Sequence, residues 1–228
     1  MTFNILNIVG GSYMKKIFLF LVPLFLGFLV FSNANVTFAA TNTEEIPLTK
    51  QQVLDKLDEI AKNYEIGELL NEEDAEFVKK YVPAPQPVGK DEIQTLALRS
   101  TFVLGTKSNS GNTLKATVSG TIWSDIGALN NSFGGNLATY IHTGNPTRVV
   151  TKIRHIAFGL FGSGGTFVGL VQNETLQSDV TKNFNTDAKI ESSHRYAASV
   201  AYSTTYAEAD IYYGSGSLFT VEADSLEN

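Results

Sequence analysis

Glu208 and Asp210 stand two residues apart in a segment that otherwise mixes small and aromatic side chains. On a β-strand that spacing turns both carboxylates to one side, about 7 Å apart. Glycosidases hold their acid and nucleophile or base at roughly such a separation. Tyr206 and Tyr212 flank the pair, each with a ring that can stack on a sugar and a hydroxyl that can hydrogen-bond. The plainer reading of the same four residues is an outward strand face, so no catalytic residue is assigned.

Other chemistry is sparse. The three histidines, His142, His155 and His194, are 13 and 39 residues apart, which fits no zinc signature, and no His-Glu-x-x-His occurs. Phe161-Gly162-Ser163-Gly164-Gly165 approaches a nucleophile elbow, but phenylalanine stands where the first glycine belongs. A glycine-rich hairpin turn is the expectation there. The chain has no Gly-x-Gly-x-x-Gly between strand and helix, no phosphate loop and no Asp-rich calcium loop. Neither a metal nor a cofactor is expected.

Residues 148–171 stand out for another reason. Arg148, Lys152 and Arg154 fall on one side of a strand pattern, and residues 156–171 then carry no charge. Glycines at the centre of that stretch predict a hairpin with apolar residues on both faces. Such a strand pair is buried on both sides or meets lipid. Phe158, Leu160, Phe161, Phe167 and Val168 are the candidate membrane-contact residues. Arg148, Lys152 and Arg154, with Tyr206 and Tyr212, are the candidate binding residues. An anionic envelope attracted by the cations and anchored by the hairpin is one partner they suggest.

The elements that position these residues follow an export signal. Lys15 and Lys16 precede fifteen uncharged residues, 17–31, and a polar patch leads to Thr37-Phe38-Ala39-Ala40. Basic head, apolar middle and small-residue exit are the parts of a secretory signal peptide. A membrane anchor is the rival, but fifteen residues rise about 22 Å as a helix against a hydrocarbon core of about 30 Å. The stretch also contains Pro23 and Gly27. Gly10-Gly11-Ser12-Tyr13-Met14 can be encoded as a purine-rich ribosome-binding site before a start codon, so translation in a bacterium is expected to begin at Met14. Residues 1–40 are thus set aside as signal, and a secreted, extracellular protein is expected.

The remaining 188 residues hold no cysteine, so burial and sheet hydrogen bonds must replace disulfides. Residues 41–92 carry thirteen acids against six lysines, and residues 93–228 ten acids against nine bases. Neither balance suits a nucleic-acid binder. Residues 41–82 read as an acidic helical segment. Thr49 and Gln52 fit a capping box, and Val53, Leu54, Leu57, Ile60, Ala61 and Tyr64 make an apolar stripe that Gly67 is expected to end. Asn71 opens a second helix with Glu72, Glu73 and Asp74 in its first turn. A proline-rich linker, 83–92, follows.

From residue 93 the period changes to two. Val149, Thr151, Ile153 and His155 alternate with Arg148, Val150, Lys152 and Arg154, and Ala207, Ala209 and Ile211 alternate with Tyr206, Glu208 and Asp210. Alternation around 114–122 and 196–203, with runs at 94–104, 136–142, 166–172 and 218–223, predicts about eight strands. No helical stretch separates them, so the expected fold is mainly β, an antiparallel sandwich over 93–228 behind two short helices. Several strands place Ser, Thr or Ala on the face away from the large residues, a flat face that suits sheet stacking or a broad surface such as a glycan, or that is simply a solvated outer face.

Ser193-His194-Arg195-Tyr196-Ala197-Ala198-Ser199-Val200 and Ala209-Asp210-Ile211-Tyr212-Tyr213 resemble paired strands of small lactococcin-type β-sandwich bacteriocins. The resemblance covers about twenty residues, implies a β-sandwich and an envelope-active role, and assigns no residue a role. The leading expectation is a secreted, non-enzymatic bacterial protein that binds a cell surface, glycan or protein partner. An envelope-active antibacterial protein and a hydrolase using Glu208 and Asp210 are the alternatives. Intact mass of the released product tests the frame: cleavage after Ala39, or alternatively Ala40, removes the leader. An unprocessed chain in the cytosol overturns export.

Overall fold

A computed structural model of the chain describes residues 47–84 and 98–225. The expected export segment, the start at Met14 and all but the first two residues of the proline linker lie outside the described residues. In chain order the elements are α1 (Lys50–Asn63), α2 (Glu72–Tyr81), β1 (Leu98–Ser108), β2 (Lys115–Asp125), β3 (Asn130–Thr143), β4 (Arg148–Phe161) and β5 (Phe167–Val180). They continue with a one-turn α3 (Phe184–Asp187), β6 (Lys189–Ala197), β7 (Tyr202–Tyr213) and β8 (Ser217–Ser225).

The helices begin as their caps require. The Gln52 backbone N–H donates to the Thr49 side chain, and the Gln52 side chain accepts from the Thr49 N–H at 2.8 Å. The Asn71 side chain accepts from the Asp74 N–H at 2.8 Å, and three acids in the first turn of α2 face the positive end of its dipole. Gly67 does not end α1. The helix stops at Asn63 with Tyr64 as its cap, and Gly67 lies further on, at φ +91°.

The strands are antiparallel, as their sequence predicts, but they do not form a sandwich. All eight belong to one sheet in the order β5-β4-β7-β8-β1-β2-β3-β6, rolled until its edge strands β5 and β6 approach within 8 Å between Cα atoms. The result is a nearly closed, barrel-like sheet. A sandwich needs two separate sheets, and here β8 joins the halves. It pairs with β7 over 217–223, then passes to β1 through Leu104↔Asp224 and Val103↔Ser225. Gly105 permits this close crossing, because a Cβ there would collide with the Glu222 carbonyl.

One expected strand divides in two. The alternation over 196–203 spans the end of β6, a connection and the start of β7. β6 lies on β3, whereas β7 lies between β4 and β8, so the chain must leave one ladder for the other. Asn131 holds the crossing point by donating to the Ala198 carbonyl at 2.8 Å.

Two apolar clusters result. Inside the sheet, Val103, Val118, Ile122, Phe133, Leu137, Val149, Ile153, Ile211 and Val221 are buried together. Outside it, Leu54, Leu57, Ile60 and Val78 of α1 and α2 pack on Ile156, Phe158, Val168, Leu170 and Tyr206. The α1–α2 connection also lies along the edge of β5: the Gly67 N–H donates to the Leu170 carbonyl at 2.7 Å and the Leu70 N–H to that of Val168 at 2.9 Å. The acidic segment is therefore docked on the sheet and covers part of an open edge. Leu57, 1% exposed, carries this docking. Leu57→Ala is expected to cost about 2–5 kcal/mol of stability, measured by chemical denaturation.

Candidate functional site

The alternation on β4 places Arg148, Lys152 and Arg154 on the outer side of the sheet, beside Tyr206, Glu208, Asp210 and Tyr212 of β7. Each cation there meets a carboxylate. Arg148 pairs with Asp179, its Nε donating to Oδ1 at 2.8 Å, and its guanidinium lies 4.9 Å from the Tyr212 ring centre. The Asp179 carboxylate raises the Arg148 pKa, and Arg148 lowers that of Asp179. Lys152 bridges Glu208, at 3.1 Å, and Asp210. Burial pushes the Lys152 pKa down, but Asp210 and Glu208 outweigh burial and the net shift is upward.

Arg154 reaches Asp58 of α1, whose other carboxylate oxygen accepts from the Tyr206 hydroxyl. Tyr206 is 5% exposed, and burial pushes its phenol pKa up. It is a docking contact for α1 and presents no free ring for stacking. The cations named from sequence thus lie in ion pairs. Glu208 and Asp210 do share a face, yet an ammonium sits between them and Thr220 donates to Asp210 at 2.7 Å. A sugar would have to displace that lysine.

The hairpin of β4 and β5 turns at Gly162, Gly164 and Gly165, all at positive φ, as its glycines predict. Its candidate contact residues divide. Phe158 and Val168 are 0% and 1% exposed beneath α1 and α2 and meet no solvent. Leu160 and Phe167 are 45% and 52% exposed, and Phe161 is half-buried.

A face that no single strand pattern revealed lies across β1, β2 and β3. Phe102 and Leu104 on β1, Thr117, Ser119, Thr121 and Trp123 on β2, and Asn136 and Tyr140 on β3 share the outer side through direct register. Phe102, Leu104 and Tyr140 are exposed, and these positions carry no charge. Thr106 and Thr117 are hydrogen-bonded at 2.7 Å, and Thr117 meets His142 Nε2 at 2.7 Å. The period-two pattern does predict a Ser/Thr face, but its continuity depends on strand order.

His155 points inward and is fully buried. Its ring stacks on Phe133 with centroids 4.4 Å apart, Nδ1 lies 2.8 Å from the Thr205 hydroxyl, and Nε2 lies 2.8 Å from the Tyr196 hydroxyl. Hydroxyls donate or accept, so either tautomer is satisfied. Burial, aided by the charge of His194, holds the imidazole pKa down to about 4. Among the described residues no group of three His, Cys, Asp or Glu is placed to hold a metal.

Comparison with protein-family models, curated proteins and solved structures returned no match.

The buried imidazole makes stability depend on pH. Folded His155 stays neutral while the unfolded chain binds a proton below its ordinary value of 6.5. Its contribution is therefore complete above pH 6.5 and falls as pH drops toward 4, by about 3 kcal/mol in total. His155→Gln is expected to flatten this part of the stability profile in urea titrations, and an unchanged slope would assign the acid sensitivity elsewhere.

Proposed function

We propose that this chain is a secreted bacterial, non-enzymatic binding protein whose neutral face on β1, β2 and β3 contacts a polysaccharide. The observation that carries this reading is the exposure of Phe102, Leu104 and Tyr140 on a hydroxyl-rich, uncharged sheet face. Apolar and aromatic side chains stack on the C–H faces of sugars, while threonine, serine and asparagine exchange hydrogen bonds with hydroxyls. A flat three-stranded face suits an extended chain better than a single small molecule. Export is supported by the basic, apolar and small-residue order of residues 15–40.

Electrostatic capture through Arg148, Lys152 and Arg154 has no part in this reading, because those charges are spent on Asp179, Glu208, Asp210 and Asp58. Binding should therefore resist salt. Pull-down on cellulose, chitin and purified peptidoglycan tests it. Retention on at least one is expected to persist in about 1 M salt, where the Debye length is about 3 Å. The double change Phe102→Ala and Tyr140→Ala is expected to abolish retention with little change in melting temperature. No retention on any of the three removes the reading.

A further inference from the structure

The rolled sheet is not stitched along its seam. Its edge strands β5 and β6 approach within 8 Å between Cα atoms, yet no ladder joins them. Paired strands lie about 4.8 Å apart, and a strand inserted between two others needs about twice that. Where the edges approach, the seam is too wide to pair and too narrow for another strand. A single slender side chain or linear molecule fits such an opening.

Neighbours fix which residues line the seam from inside. Asn173 donates to the Ala61 carbonyl of α1 on the outer side, and Leu176 packs on the inner cluster, so Gln172 and Glu174 face inward. Glu174 is the direct register partner of the inward His155. From β6, His194 leans on Phe133 with ring centres 5.7 Å apart, and Tyr196 reaches His155. Eight polar or charged side chains are buried among the described residues, and Gln172, 6% exposed, is the one without a hydrogen bond. Every fully enclosed side-chain nitrogen or oxygen there has a partner, so the Gln172 amide touches solvent at its tip. Glu174 is half-buried and has neither an ion pair nor a hydrogen bond among the described residues. His194 has its ring contact alone.

Glu174 is also the one Asp, Glu, Lys or Arg on the inner side of β3, β4, β5, β6 and β7. Arg148, Lys152 and Arg154 of β4 and Lys189 and Arg195 of β6 alternate to the outer side, where Lys62 lies with α1. No cation of the protein therefore reaches this carboxylate from within. We propose that the seam between β5 and β6 admits a primary ammonium group, which Glu174, the Gln172 amide oxygen and His194 accept in hydrogen bonds. An ammonium has three N–H donors for those three acceptors, and the carboxylate turns anions away. Such a group ends a free alkylamine or a partner's lysine side chain. The site is separate from the β1–β3 face, and neither reading requires the other. An inward charge also keeps an edge strand from pairing, but that role calls for no unpartnered amide beside it.

Calorimetric titration of the full chain with cadaverine, a linear diamine, tests the site. Saturable binding is expected at millimolar amine or below, with glutarate and the uncharged diol of equal length giving none. Glu174→Gln and Gln172→Ala should each weaken it at least about tenfold, with melting temperatures confirming that both variants fold. Glu191→Gln, on the outer side of β6, should leave it unchanged. A short peptide with one internal lysine separates the sources: tighter binding than cadaverine makes the occupant a partner's lysine, weaker binding a free amine. The proposal falls if cadaverine does not bind up to about 10 mM, or if glutarate or the diol binds as well. It also falls if Glu174→Gln keeps the parent affinity; self-association of that variant would then assign the carboxylate to edge protection.

Discussion

Strand β4 carries apolar residues on both faces, and a strand of that kind has to be covered twice. Val149 and Ile153 point into the rolled sheet, whereas Ile156 and Phe158 point out of it. In a chain without cysteine, burial and hydrogen bonds hold both coverings in place. The curvature of the sheet supplies the inner cover and the acidic N-terminal helices the outer one. The contacts between Arg154, Asp58 and Tyr206 fasten the second cover where the apolar surface ends.

That double covering decides which groups remain to do anything. Cations on the outer side of β4 meet carboxylates of α1, β5 and β7, and their fields are satisfied internally. Beside the exposed lysines at the strand ends, a hydroxyl and aromatic face on β1, β2 and β3 stays open. A face of that kind offers stacking, hydrogen bonding and desolvation, with little long-range attraction.

The interior has its own polar exception. Phe133, His155, Thr205 and Tyr196 come from β3, β4, β7 and β6, so one stacked and hydrogen-bonded group ties four strands together. Tyr196 belongs to β6, which has no ladder partner on its far side. Its hydroxyl on His155 adds a second attachment for that edge strand. Protonation is resisted because the ring is buried.

Local physics made much of this legible in the sequence. Thr49 with Gln52 and Asn71 with Asp74 mark helix starts, since a cap is satisfied within four residues. Alternation along β4 and β7 marks the inward side, because a pleat turns successive side chains to opposite faces. Glycines 162, 164 and 165 mark the hairpin. Partners separated by tens of residues carry no such imprint. The sequence reads Arg148, Lys152 and Arg154 as a bare patch, because Asp179 and Asp58 reach them only through strand order and helix docking. Alternation along 196–203 is likewise silent about the change of ladder from β3 to β4 and β8. Periodicity determined which elements form and which side of each is apolar. Rolling into a nearly closed sheet, the pairing of Arg148, Lys152 and Arg154 and the assembly of the β1–β3 face were decided by tertiary contacts, because they depend on distances that no local spacing encodes.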